Sequence, residues 1–275
     1  MTALPRAAQP GSDTVLAAEN LVMRFGGVTA IDLAALNLKK GGRHALIGPN
    51  GAGKTTLINV LTGVLQPMQG TVKLLGEDIT RLAPHQRVQR GMVRTFQINQ
   101  LFGSLSPLQT LALAVSQQRG LGAKWWQPLG GNRQVAAACE RLLEQFHLTS
   151  VMHQPTRLLP YGKRRLLEIA IALACQPRVL LLDEPAAGVP VGERQELLQT
   201  IAALPADVSV LLIEHDMEVV FGFASFITAL ADGRLLAEGP AEQIANNPQV
   251  KAIYFGHGPP AAAKKSAPAG GAIHG

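Results

Sequence analysis

Apolar positions in this chain change their spacing twice. From residue 15 to about 80 they fall into short runs at 15–23, 31–38, 44–47 and 71–75, separated by turn signals at Gly26-Gly27, Gly41-Gly42 and Pro67 to Gly70, which predicts strands. One long helix, 54 to about 65, interrupts them. In the middle third, 107–118 and 134–147 carry apolar residues at three and four spacing, as in Val135, Cys139, Leu142, Leu143 and Phe146, so both read as amphipathic helices. Between them 120–131, with Trp125-Trp126, reads as a surface excursion whose aromatic pair either docks a partner or folds back on its own helices. A further helix runs from Tyr161 to about Cys175 and stops before Pro177. Val179-Leu180-Leu181-Leu182 then follows without alternation, the pattern of a strand covered on both faces in a parallel sheet. Helix 193–203, strand 208–213, helix 217–223 and strand 226–231 continue the alternation, so the fold class is α/β with helices on both faces. Asp232-Gly233-Arg234 closes a hairpin onto 235–238, and 240–247 gives a short terminal helix. There is no internal repeat.

Composition narrows this picture. The 275 residues suffice for one large domain with an inserted subdomain. Residues 1–13 and 257–275, rich in Pro, Gly, Ala and Ser, are expected to be disordered, leaving a domain at 14–256. Cys139 and Cys175 stand at no metal or redox spacing and read as small core residues. No run approaches the ~18 apolar residues of a spanning helix, and the first residues lack the apolar core of a secretory signal, so a cytoplasmic protein is expected. The formal net charge of +6 suits nucleic acid, an acidic membrane surface or nucleotide phosphates. Aromatics are not interleaved with the basic residues as single-strand binding requires, so nucleic acid is not expected as a partner.

The most specific chemistry lies in Gly48-Pro49-Asn50-Gly51-Ala52-Gly53-Lys54-Thr55-Thr56, between the apolar run Ala45-Leu46-Ile47 and the helix-like run that follows. This spacing lets small residues turn the backbone so that successive N–H groups face a polyphosphate, at the positive end of a helix macrodipole. Lys54 adds a full charge for the β- and γ-phosphates, and the Thr55 hydroxyl suits Mg²⁺. Leu182-Asp183-Glu184-Pro185 places two carboxylates where a buried strand ends. Asp183 is expected in the Mg²⁺ shell and Glu184 as the base for an attacking water. The plainer alternative is a helix cap with a first-turn acid. His215 ends a second apolar strand, either as a polar cap or as a donor to a γ-phosphate. Gln97 offers an amide oxygen for Mg²⁺.

In this order the residues resemble the ATP-binding subunits of ABC transporters over about 15–256. The resemblance makes residues 48–56 the phosphate loop, Gln97 the Q-loop glutamine, Leu159-Pro160-Tyr161-Gly162-Lys163 the signature segment facing a partner's ATP, 180–184 the Walker B strand with its glutamate, and His215 the switch histidine. Phe25 stands where the family stacks an aromatic on adenine. The fold implied is a P-loop NTPase core with an N-terminal antiparallel β subdomain and an α-helical subdomain inserted at about 98–165. The implied cofactors are ATP and Mg²⁺.

Arg94-Thr95-Phe96-Gln97, Tyr161 to Ala170, Asp183-Glu184-Pro185-Ala186-Ala187-Gly188 and Tyr254-Phe255-Gly256 look like the importers of branched-chain or related hydrophobic amino acids. Urea or amide importers and lipid exporters are the alternatives; a non-transport ABC ATPase and a subunit that clamps ATP without efficient hydrolysis stand further off. The resemblance also implies two transmembrane permease subunits, an indirect periplasmic substrate-binding protein and a peripheral place on the cytoplasmic face of the bacterial inner membrane. Coupling to the permeases is expected through a groove beside Gln97.

The signature departs from the family's usual L-S-G-G-Q. Pro160 brings neither hydroxyl nor N–H where serine is usual, and Pro190 stands in place of an aspartate in the following loop. Either Lys163 and Arg164-Arg165 restore positive charge at that face and a homodimer works, or the chain pairs with a different ATP-binding subunit. The second is the expectation.

Overall fold

The structure is a computed structural model and describes residues 13–95, 101–121 and 132–255. Gln97, the Trp125-Trp126 pair and, of the ends 1–13 and 257–275 expected to be disordered, all but Asp13 lie outside the described residues. Strands β1 (Thr14–Phe25) and β2 (Val28–Lys39) form a long hairpin that turns at Gly26 and Gly27. After β3 (Arg43–Ile47) and helix α1 (Lys54–Thr62), strands β4 (Gln69–Leu74) and β5 (Glu77–Asp78) complete a four-stranded antiparallel sheet of order β2-β1-β4-β5.

The chain then enters a second sheet. Helix α2 (Pro84–Gln89) leads to β6 (Met92–Arg94), and helices α3 (Pro107–Gln118), α4 (Arg133–Gln145) and α5 (Tyr161–Ala174) follow before β7 (Val179–Asp183). Then come α6 (Val191–Ala202), β8 (Ser209–Ile213), α7 (Met217–Phe223), β9 (Phe226–Ala231), β10 (Arg234–Pro240), α8 (Ala241–Asn246) and α9 (Pro248–Phe255). The order is β10-β9-β3-β8-β7-β6, parallel except for β10. Asp232 and Gly233 both have positive φ, 49° and 75°, as the two-residue turn of that closing hairpin requires.

Every residue of β7 and β8 is buried. Their alternation divides them between two cores: Leu180, Leu182, Val210 and Leu212 pack with the helices α3 to α6, whereas Val179, Leu181, Leu211 and Ile213 pack with α1 and the antiparallel sheet. A third cluster joins Ala45 and Ile47 of β3 to Ile244 and Val250 of α8 and α9. The helices start on their own chemistry. Ser106 and Gln109 form a reciprocal capping box ahead of Pro107, Asn132 caps α4 and Asp216 caps α7.

The chain differs from the sequence expectation at particular places. Helix α1 ends at Thr62 rather than near 65, because Gly63 takes a left-handed conformation with φ 80°. The last carbonyls of α1 are held from outside: Arg87, 1 % exposed, donates Nη1 to Val60 O at 2.9 Å and Leu61 O at 2.5 Å, Nη2 to Thr80 O at 2.8 Å and Nε to Leu82 O at 3.0 Å. Its cation thus closes the negative end of the α1 dipole, and burial lowers its pKa only to about 10. The short elements α2 and β6, and α9 beyond the expected terminal helix, were not foreseen. Among the described residues no helix is long and apolar enough to cross a membrane.

His44 on β3 is buried, with Nε2 2.8 Å from Thr228 Oγ1 and its ring edge-on to Phe226. Burial pushes its pKa down to about 4 from 6.5. The unfolded chain therefore takes up a proton that the folded one refuses, so this contribution is complete above about pH 6.5 and is lost as pH falls toward 4, about 3 kcal/mol in all. Urea unfolding of wild type and His44→Gln at pH 7.5 and 4.5 is expected to show a steeper loss in wild type.

Candidate functional site

Parallel pairing makes β3, β8, β7 and β6 end on one edge of the sheet, and the loop 48–53, Asp183, Glu184 and His215 leave from that edge. The first loop, 48–53, lies between β3 and α1. Gly53 has φ 98°, and a Cβ there would stand 2.5 Å from Ala30 O; one on Gly48 would stand 2.7 Å from Leu230 O. Glycine is thus required for the loop to lie flat on β2 and β9. That packing also brings the β1–β2 hairpin, closed by Phe25 and Val28, toward the loop, with Phe25 half-exposed. Pro49, Asn50, Gly51 and Thr55 are exposed and Thr56 is partly so.

Lys54 is buried, its ammonium donating to Gly48 O at 2.6 Å and Pro49 O at 3.0 Å. Burial lowers its pKa, while Glu184 and then Asp183 pull the other way. The Lys54 ammonium and these two carboxylates therefore share this edge with the Arg94 guanidinium. Asp183 closes β7 in register with Ile213, and its Oδ2 accepts from Arg94 Nη2 at 2.6 Å. Glu184 takes a left-handed backbone with φ 44°, rare for a residue with a side chain, and its N–H donates to Ile213 O at 2.9 Å. Conformations of this kind cost of order 1–3 kcal/mol and gather at functional sites. His215 is 60 % exposed at its side chain, with Nδ1 3.7 Å from Glu184 Oε1 and 3.8 Å from Glu214 Oε2.

Glu214 is a member of this group that the sequence reading left without a role. It is buried, accepts from Ala186 N at 3.3 Å and His215 N at 3.2 Å, and so ties the loop after β7 to the loop after β8. Burial raises its pKa against those hydrogen bonds. An acid set directly between an apolar strand and a histidine was the available signal. Tyr254, named above only for the resemblance it carries, packs against the β3 cluster beside the Gly48 backbone, and burial pushes its hydroxyl up to about 12.

The segment 159–163 sits elsewhere, at the start of α5. Leu159 is buried and Pro160 exposed, and Tyr161 donates its hydroxyl to Ala187 O at 3.3 Å beneath the guanidinium groups of Arg164 and Arg165. Gly162 N donates to Glu193 Oε2 at 2.6 Å, and Lys163 pairs with Glu196 Oε1 at 2.7 Å and donates to His147 O at 3.0 Å. Arg165 pairs with Glu168. Each of these basic groups is engaged within the chain.

No group of three or more His, Cys, Asp or Glu side chains suited to a metal occurs among the described residues. The donors that do face this edge, the Thr55 hydroxyl and the Asp183 carboxylate, are hard oxygens of the kind Mg²⁺ takes, and Mg²⁺ needs only one or two from the protein when phosphate supplies others. The glycine-shaped loop around an ammonium fits a polyphosphate by the same test. Beside β6 a mainly apolar groove of about 440 Å³ is lined by Arg94, Leu101, Phe102, Leu113, Ile171 and Cys175 among others, with Phe102 68 % exposed at its rim.

Comparison with known proteins matches residues 31–187 to the family described as ABC transporter and residues 234–260 to the one described as branched-chain amino acid ATP-binding cassette transporter. The chain is 39 % identical over 254 residues to the high-affinity branched-chain amino acid transport ATP-binding protein BraF of Pseudomonas aeruginosa, covering 89 % of this chain and 99 % of that one. It is 39 % identical over 252 residues to the corresponding protein LivG of Escherichia coli, with the same coverages. Among solved structures it is similar to the ATP-binding cassette MJ1267 in its ADP conformation, with a TM-score of 0.77 and 31 % identity over 89 % of this chain and 99 % of that one.

Proposed function

Since the chain belongs to the ABC transporter family of ATP-binding subunits, we propose that it is the ATPase that drives an importer for branched-chain or related hydrophobic amino acids. The observation that carries the substrate class is the match of residues 234–260 to the branched-chain amino acid family, beside 39 % identity to BraF and LivG over most of the chain. The cassette spans 14–256, with the helical insert at about 98–165.

In this reading Phe25 stacks on adenine and residues 48–56 bind the phosphates, with Lys54 neutralising the β- and γ-groups. Thr55, Asp183 and Gln97 would hold Mg²⁺, which when bound would offset phosphate charge. Glu184 draws a proton from water as it attacks the γ-phosphorus, the bond to the bridging oxygen breaks, and ADP and phosphate leave. His215 donates to the γ-phosphate, close enough to Glu184 to report on the same centre. The strained backbone at Glu184 supports its role, since such conformations gather at functional sites.

The partners are a second ATP-binding subunit, two permease subunits whose short helices enter the groove beside β6, and indirectly a periplasmic binding protein. The subunit would lie on the cytoplasmic face of the inner membrane. A different chain as the second ATPase is favoured by one set of contacts: Pro160 lacks an N–H, Glu193 takes that of Gly162, and Glu196 takes the Lys163 ammonium. In this reading the Lys163 charge is engaged within the chain, which supports the mixed pair.

In the assembled transporter, Glu184→Gln is expected to retain ATP binding and to lower kcat for ATP, and leucine uptake with it, by at least about 100-fold; unchanged turnover contradicts the assignment of the base. Uptake of urea without leucine, or lipid export, contradicts the substrate class. Light scattering of purified Glu184→Gln chain with ATP is expected to show a monomer at micromolar concentration, whereas a stable homodimer contradicts the mixed pair.

A further inference from the structure

Arg94 ends β6, and nothing in the site as read so far uses it. Its guanidinium forks between two elements: Nη1 donates to Asn59 Oδ1 on α1 at 2.8 Å, and Nη2 donates to Asp183 Oδ2 on β7 at 2.6 Å. Its side chain and that of Asp183 are each 11 % exposed. Thr95, the next residue, locks the same corner, its N–H donating to Leu181 O at 2.9 Å. A planar guanidinium with two donors in fixed geometry sets the angle of a carboxylate as a lysine cannot.

We propose that Arg94 is a positioning residue for the Mg²⁺ carboxylate: by holding Asp183 Oδ2 from a base on Asn59, it turns Oδ1 toward the phosphate loop. Two effects of the cation oppose each other. Its charge repels a divalent ion nearby, whereas its hydrogen bond fixes the orientation of the Asp183 carboxylate. Partners of this kind behind ligating groups typically contribute 10–100-fold in metal affinity, so orientation outweighs repulsion. Arg94 also lines the apolar groove beside β6, which places one side chain against both the groove and the metal carboxylate.

The inference rests on ATP and Mg²⁺ being the ligands, so ATP binding is measured first, by equilibrium dialysis without metal, and then titrated with Mg²⁺. Wild type that binds no ATP under either condition defeats the functional reading. If it binds, Arg94→Met is expected to leave metal-free ATP affinity within about twofold and to raise the Mg²⁺ concentration for half-maximal enhancement 10–100-fold. Arg94→Lys, which keeps the charge but loses the fork, is expected to fall between, and Asn59→Ala, which frees one prong, to shift the same way by less. An unchanged or lower Mg²⁺ requirement in Arg94→Met overturns the proposal and leaves the ATPase reading standing. Where Arg94→Met does not fold by circular dichroism, Arg94→Lys and Asn59→Ala decide: a Mg²⁺ requirement equal to wild type in both overturns it.

Discussion

A buried ammonium held inside its own loop, facing two carboxylates across one sheet edge, is the constraint on which the rest of this molecule depends. Lys54 loses hydration by burial and recovers part of it from the carbonyls of Gly48 and Pro49 and from the field of Glu184 and Asp183. That balance holds only while β3, β8 and β7 stay in register. Much of the fold serves the register: two cores grip the alternating faces of β7 and β8, Arg87 closes the far end of α1, and the C-terminal helices brace β3.

Unfavourable geometry is concentrated at the same edge. Glu184 sits in a left-handed conformation and Gly53 in one that no other residue tolerates there, because Ala30 O leaves no space for a Cβ. Both are over-determined by neighbours, Glu184 through Ile213 O and Gly53 through the packing of the loop on β2. At the second face of the chain the opposite holds. The start of α5 is held by Glu193 and Glu196 of α6, so the Gly162 N–H and the Lys163 ammonium are engaged within the chain.

Local patterns made most of the architecture legible. The unbroken apolar runs of β7 and β8 announced burial on both faces, and the glycines and Lys54 announced the loop, because each signal is contained in fewer than ten consecutive residues. What escaped was short or was made by distant neighbours. The three residues of β6 carry no periodicity, and α2 is ended within two turns. Glu193, Glu214 and Arg94 have roles only because other strands and helices come to them. The pairing of Lys163 escaped for the same reason, since no local pattern reveals that Glu196 lies across from it.

The most direct measurement is ATP binding by equilibrium dialysis for the wild-type chain beside Lys54→Ala, with Mg²⁺ present and folding checked by circular dichroism. The account predicts saturable binding of one ATP by wild type and a loss of at least about 100-fold in affinity for the variant, as expected when a cation is removed from a buried phosphate contact. Equal affinity in the two proteins would contradict it.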